Sequence, residues 1–253
     1  MSVKIYGYGW VGKAMYELFP EATIHDPAQD LFSYNVADVG FICVPTPNNN
    51  QAELDTSIVE EVVRNAEEKL LVIRSTVNPG TTDRLIQETG KHIVVQPEYL
   101  GETPAHPMLD QTTRQFVIIG GEPNDRRTLI ELYTKVYNAD TNIRQVTALE
   151  AEVIKLSENR AIMFKVLQCQ ELYDACESAG VDYYTVRDAV YGDDPRFNLW
   201  WTFIYPKARG AKSKCIPKDP YAWAAWAKGT SWDKNNAELT QALLKYNEKL
   251  IND

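Results

Sequence analysis

Val3-Lys4-Ile5-Tyr6 runs directly into Gly7-Tyr8-Gly9-Trp10-Val11-Gly12, after which Val11, Met15 and Leu18 recur at helical spacing. A strand pattern, a glycine turn and an amphipathic helix in that order restrict the start of the chain to a βα unit of a nucleotide-binding sheet. The three glycines differ in role. Gly7 makes the tight turn, Gly9 lets the backbone approach a pyrophosphate, and Gly12 lets the helix pack closely on the strand. The helix that starts with Trp10 and Val11 turns its first N–H groups toward the phosphates. Pro20 ends it, and a second strand, Ala22 to His25, delivers Asp26 about 20 residues after the first glycine. An acid there holds a ribose 2′-hydroxyl and repels a 2′-phosphate, so the cofactor expected is NAD and not NADP.

Strand patterns follow at Val39 to Val44, Leu70 to Ile73, His92 to Val95 and Gln115 to Ile119, separated by helical patterns around Ser57 to Lys69, Thr82 to Thr89 and Asn124 to Tyr137. Such alternation predicts an α/β fold with a parallel, doubly wound sheet. Ligands of open α/β sheets lie beyond the carboxyl ends of the strands. Thr46, Thr76, Glu98 and Glu102 occupy the turns at those ends and are placed to face cofactor and substrate. Threonines that only cap turns, and glutamates that are only solvated, would look the same.

The second half reads as helical. No glycine or proline interrupts Ala148 to Ser178, and Gly180 closes the run. Its apolar stripe is Ile162, Val166, Cys169, Tyr173 and Cys176, and extending it backwards lands on Asn159 and Lys155. A lysine on a buried face needs a reason, since lysine is rarely buried without a partner. Either Lys155 snorkels to water, or it and Asn159 line a cleft and donate to an oxygen that gains negative charge or to an attacking water. Cys169 and Cys176 read as small core residues.

A further helix is expected around Tyr183 to Tyr191. Beyond it the aromatic segment Trp200 to Tyr205 is suited either to stacking on a base or sugar, Tyr205 included, or to a packed crossing between helices. Asp219-Pro220 predicts an N-cap followed by a first-turn proline. Trp223, Trp226 and the stripe Leu239, Leu243, Tyr246, Leu250 read as core or dimer surface.

Cys215 lies among Lys207, Arg209, Lys212, Lys214 and Lys218, the most basic stretch of a chain whose net charge is -9. Neighbouring positive charge favours the thiolate, which makes Cys215 a candidate nucleophile. Overall acidity disfavours a nucleic-acid partner, whereas the local basic loop, Lys212 in particular, suits an anionic small-molecule substrate. The four cysteines show no CxxC spacing and fit a reducing, cytoplasmic setting. No leader and no apolar run of membrane-spanning length is apparent, so a soluble protein is expected. Three widely spaced histidines give a metal site little to build on.

In order, the glycine loop, Asp26, Phe41-Ile42-Cys43-Val44-Pro45-Thr46-Pro47, Ser75-Thr76-Val77-Asn78-Pro79-Gly80-Thr81, Pro97-Glu98-Tyr99-Leu100-Gly101-Glu102, Ala151-Glu152-Val153-Ile154-Lys155 with Asn159, and Cys215-Ile216-Pro217-Lys218-Asp219 resemble the UDP-glucose/GDP-mannose dehydrogenase family. The resemblance implies an NAD-binding Rossmann domain over residues 1–146. It also implies a helical domain over residues 147–253, which carries the catalytic Lys, Asn and Cys and makes a homodimer through its long helix. The implied activity is NAD-dependent oxidation of a nucleotide-sugar primary alcohol to the carboxylate. In that scheme Lys155 and Asn159 stabilise the alkoxide, or position water with Asp219 and Thr76. Cys215 holds the aldehyde as a thiohemiacetal and then a thioester. Glu98 is the acid/base candidate, Glu102 lies near the nicotinamide, and Lys218 lies near the cofactor.

Two departures from the family pattern bear on substrate. The family's third, nucleotide-gripping domain is expected to be absent after Asp253, and the glycine-rich loop before the cysteine is here Gly210-Ala211-Lys212-Ser213-Lys214. The basic loop is expected either to replace the missing phosphate grip, or to select a smaller anion, or to be a solvated surface. A partner chain could also supply the grip. The competing functions are a two-electron dehydrogenase of a small hydroxy acid, in which a thiol trap has no use, and a non-catalytic NAD-binding protein.

Overall fold

The computed structural model describes residues 1–49, 52–101, 116–213, 216–228, 230 and 237–252. Of the expected site residues, Glu102 and Cys215 lie outside them. The chain divides into two compact units, Met1–Lys155 and Leu156–Asp253.

The first unit alternates β1 (Val3–Tyr6), α1 (Trp10–Leu18), β2 (Thr23–His25), β3 (Val39–Ile42), α2 (Ser57–Asn65), β4 (Leu70–Ile73), α3 (Thr81–Thr89), β5 (Ile93–Val95), β6 (Phe116–Gly121), α4 (Pro123–Tyr133) and β7 (Asn142–Val146). They form a seven-stranded sheet in the order β2-β1-β3-β4-β5-β6-β7. Strands β2 to β5 are parallel, as expected. The departure is β6, which runs antiparallel to β5 before β7 joins it in parallel. Val95 pairs with Gly120, so the start of β6 projects past the end of β5, and the Phe116 ring lies 5.1 Å from that of Tyr99.

Successive strand residues point to opposite faces, and both faces are covered. Ile5, Phe41, Val72 and Val94 pack with Met15, Leu18, Leu129 and Tyr133 on one side. Tyr6, Ile42, Ile73 and Ile93 pack with Val59, Val63 and Leu85 on the other. The chain leaves β1 in one direction for β2 and in the other for β3, so the crevice open to a ligand lies beyond the carboxyl ends of β1 and β3.

Helix α5 (Ala148–Ala179) carries the chain into the second unit. Gly180, at φ 70°, closes it as expected. Val181 N–H donates to Cys176 O at 3.1 Å and Gly180 N–H to Glu177 O at 3.2 Å, a paired C-terminal cap. Then follow α6 (Tyr183–Arg187), a π-helical turn Asp188–Asp193, α7 (Lys218–Ala227) and α8 (Glu238–Asn252). Cys169 and Cys176 are buried as core residues with Tyr183, Tyr191 and Ile204. The deepest positions of α5 in this unit also include Met163 and Leu167, whereas Ile162, Val166 and Tyr173 are half-buried. In α8 the buried face is Thr240, Leu244, Asn247 and Leu250, displaced from the expected apolar stripe, and Leu239 is exposed. Among the described residues no helix is long and apolar enough to cross a membrane, and no group of His, Cys, Asp and Glu could hold a metal ion.

Candidate functional site

In the first unit the glycine loop stands at the end of β1, and close packing dictates its glycines. A Cβ on Gly12 would lie 2.0 Å from the Gly7 carbonyl oxygen, and one on Gly7, whose φ is 87°, would lie 2.7 Å from the Cys43 carbonyl oxygen. A Cβ on Gly9 would meet nothing within 4 Å beyond its chain neighbours. Gly7 and Gly12 are therefore required by the fold, while Gly9 borders open space at the N-terminus of α1, as a pyrophosphate would need. Trp10 is exposed and Val11 half-buried.

Asp26 follows β2. Its Oδ2 accepts from Tyr8 N–H and from Gln29 Nε2, each at 2.7 Å, and its Oδ1 accepts from Ala28 N–H at 3.1 Å. Burial opposes its charge, but the hydrogen bonds from Tyr8, Gln29 and Ala28 outweigh that and hold Asp26 below the usual carboxylate range. An ionised Asp26 braced against the glycine loop fits a ribose. The loop and Asp26 together suit a dinucleotide with an unphosphorylated ribose.

The loops after β3 and β4 brace one another. Thr46 Oγ1 donates to the Thr76 carbonyl at 2.7 Å, Ser75 Oγ donates to the Val44 carbonyl at 2.7 Å, and the Asn78 amide bonds both backbone groups of Leu54. Thr46 is buried and serves the loop directly, whereas Thr76 is half-buried. Glu98 is not the solvated glutamate of the alternative reading. It is buried, ion-paired with the fully buried Arg74, and accepts from the N–H groups of Tyr99 at 2.5 Å and Leu100 at 2.7 Å. Cys43 is half-buried, and burial pushes its thiol up to about 12 against the pull of Arg74.

The first two turns of α5 belong to this unit. Ala151 fills the place where a Cβ on Gly120 would be, 2.6 Å from the Ala151 Cβ. Lys155 does not snorkel: it is 8% exposed, and its Nζ stands 4.9 Å above the Tyr99 ring. Between them is a residue that the apolar stripe alone does not single out. Glu152, 2% exposed, accepts from Gly80 N–H at 2.6 Å, Thr82 N–H at 2.9 Å and Thr82 Oγ1 at 2.6 Å. Burial raises its pKa to about 7, against those bonds. The sequence does hold a signal for it: one further step back along the stripe from Asn159 through Lys155 lands on Glu152.

In the second unit Asn159 Nδ2 donates to Asp219 Oδ2, both residues being buried. Asp219 is not the expected N-cap. Helix α7 starts at Lys218 with Pro217 in the cap position, so the Asp219 carboxylate lies in the first turn and takes a side-chain donor from α5. Lys218, expected beside the cofactor, has its Nζ 2.9 Å from Asp219 Oδ1.

The basic loop is only partly available to an anion. Arg209 lies 2.8 Å from Asp174, donates to Gln170, and stacks over Tyr173. The next turn is held by Asn247, which accepts from Ala211 N–H at 2.7 Å and donates to Ala211 O at 3.1 Å. Lys207 and Lys212 are exposed, and Lys214 lies outside the described residues. Trp200, Phe203 and Tyr205 are exposed, Trp201 is half-buried, Thr202 and Ile204 are buried, and Arg187 lies over the Phe203 ring. The Trp223 and Trp226 rings meet edge to face, with Arg160 over Trp223.

Residues 29–139 match the NAD binding domain, and residues 149–249 the central domain, of the UDP-glucose/GDP-mannose dehydrogenase family. The chain is 27% identical over 234 residues to the UDP-glucose 6-dehydrogenase AglM of Haloferax volcanii, covering 83% of this chain and 52% of that protein. It is 31% identical over 203 residues to the GDP-mannose 6-dehydrogenase of Pseudomonas aeruginosa, covering 72% and 45%. The chain thus spans about half the length of these relatives. A UDP-glucose dehydrogenase structure from Pyrobaculum islandicum superposes with a TM-score of 0.80 at 23% identity, over 98% of this chain and 68% of that one. That likeness bears on the fold.

Proposed function

Because the chain belongs to the UDP-glucose/GDP-mannose dehydrogenase family, we propose that it oxidises the primary alcohol of a nucleotide sugar to the carboxylate with NAD. The observation that carries this reading is Lys155, a buried ammonium delivered by α5 to the strand-end loop of Glu98 and Tyr99. A cation held in a water-poor place is suited to an oxygen that gains charge as a hydride leaves the adjoining carbon.

Gly7, Gly9, Trp10, Val11, Gly12 and Asp26 would hold the cofactor, with Thr46 and Thr76 in the braced loops beside it. When bound, NAD supplies the hydride acceptor for both two-electron oxidations. Lys155 and Asn159, one turn apart on α5, donate to the substrate oxygen, and Asp219 fixes the Asn159 amide. Cys215 then adds to the aldehyde to give a thiohemiacetal. Oxidation gives the thioester, and water releases the carboxylate and returns the thiol. Glu98, pinned by Arg74 and two backbone N–H groups, is proposed as the acid/base group near that water, with Glu102 assigned to the nicotinamide side. Tyr205 and Lys212 are exposed and assigned to substrate. A homodimer through α5 completes the reading.

The experiment is to offer UDP- and GDP-sugars with NAD and count the NADH formed per substrate consumed. Two equivalents support the four-electron route. One supports a two-electron dehydrogenase, and none with NAD still bound supports a non-catalytic protein.

A further inference from the structure

Glu152 has no part in the scheme above, yet it is a carboxyl buried in the first two turns of α5. A buried carboxyl is tolerated only when its hydrogen bonds are met, and Glu152 meets them with two backbone N–H groups and a hydroxyl at the N-terminus of α3. Negative charge is favourable at that helix end. Packing alone does not call for a carboxyl, since a buried apolar side chain of similar size commonly serves stability as well or better. A carboxylate adds direction, because its bonds hold over a few tenths of an ångström whereas apolar contact lets surfaces slide.

The neighbours show what is being directed. Ala151 against Gly120 fixes how closely α5 approaches the sheet, but two small residues do not fix its rotation or its level along the axis. Glu152 does both: a shift of one residue moves the helix by about 1.5 Å and turns it by about 100°, enough to part the carboxylate from Gly80 and Thr82. Gly80, at φ 94°, turns its N–H onto Oε2. It belongs to the loop that also carries Thr76 and Asn78, which Thr46 and Leu54 brace. Lys155 follows three residues later.

We propose that Glu152 is a positioning residue, which locks α5 to the loop after β4 and so sets where the Lys155 ammonium stands over Tyr99. Its importance for turnover rests on the dehydrogenase reading; the lock itself does not.

The test compares wild type with Glu152→Gln and Thr82→Val, without substrate. Amide exchange is followed at Gly80 and Thr82, and the Lys155 side chain is followed by NMR of 13C-lysine-labelled protein, assigned by loss of its signal in Lys155→Arg. Above pH 7, where Glu152 is ionised, the two amides should exchange at least about tenfold faster in Glu152→Gln, the expected loss for a bond to a charged acceptor. The Lys155 methylene signals should leave their ring-shifted position, and Thr82→Val should move them in the same direction by less. In turnover, kcat should fall while KM for NAD stays within about twofold, since the interaction lost acts on the transition state and not on cofactor binding. Faster amides with unmoved Lys155 signals would reduce Glu152 to a helix cap and overturn the proposal, as would unchanged amide exchange. Should Glu152→Gln fail to fold, Thr82→Val carries the same comparison, and the same two results overturn the proposal. If the Lys155 signals move but wild type oxidises no nucleotide sugar, the lock stands and the dehydrogenase reading falls.

Discussion

The Asn159 side-chain amide donates to Oδ2 of Asp219, joining the long helix α5 to the first turn of α7 inside the second unit. Asp219 is fully buried, so its carboxylate depends on that donor and on Lys218 for compensation. Asn159→Ala should cost about 1–3 kcal/mol of stability, the usual penalty for orphaning a buried polar partner. Adding Asp219→Asn should cost less than its own single effect, because the stranded charge is then gone. Urea denaturation of the two single variants and the double variant measures the coupling.

Gly12 and Gly9 should respond differently to an added methyl group. Gly12→Ala places a Cβ against the Gly7 carbonyl and should destabilise the first unit by about 3 kcal/mol or more. Gly9→Ala meets no neighbour, so its melting temperature should stay near wild type while NAD affinity drops. Thermal unfolding and a fluorescence titration with NAD separate the two; an unchanged NAD affinity in Gly9→Ala would falsify the placement of the pyrophosphate.

Glu152 should leave a mark on stability against pH. Its pKa in the fold is about 7 against an ordinary 4.5, so the folded state holds its proton more tightly than the unfolded chain does. The resulting stabilisation is complete below pH 4.5 and is lost as pH rises through 7, a change of about 3 kcal/mol. Denaturation midpoints of wild type and Glu152→Gln, compared from about pH 4.5 to about pH 7.5, should show the wild-type advantage shrinking with rising pH. A constant difference would mean that Glu152 does not titrate there.

The thiols should differ in reactivity. Cys169 and Cys176 are buried, and burial pushes the Cys43 thiol up to about 12, while the basic sequence around Cys215 favours its thiolate. Iodoacetamide at neutral pH should modify Cys215 at least about tenfold faster than Cys43, as read by peptide mass mapping. Comparable rates would remove the argument for an activated Cys215.

The strand-glycine-helix start and β4 are legible in the sequence because local pattern and tertiary role agree there: Val3 to Tyr6 and Leu70 to Ile73 are buried throughout. β7 escapes a pattern reading because Asn142 to Val146 is an edge strand without a buried residue and without apolar alternation. The reversal at β6 depends on pairing between Val95 and Gly120, which no local pattern records. Asp219-Pro220 has the form of a cap, but a buried partner on a distant helix claims the carboxylate. The α8 stripe departs from the apolar pattern because the polar Asn247 occupies a core position. Lys155 and Asn159 stand out in the sequence as misplaced polar residues, whereas Glu152 is reached only by following the same stripe one step further back.

Asn247, which closes on both backbone groups of Ala211, makes α8 a splint for the segment that leads to Cys215. Randomising residues 207–213 alone would reshape a strip of chain bolted down at its middle. Libraries that vary α8 together with that strip have room to find new loop shapes, and those that leave Asn247 in place will mostly recolour the old one.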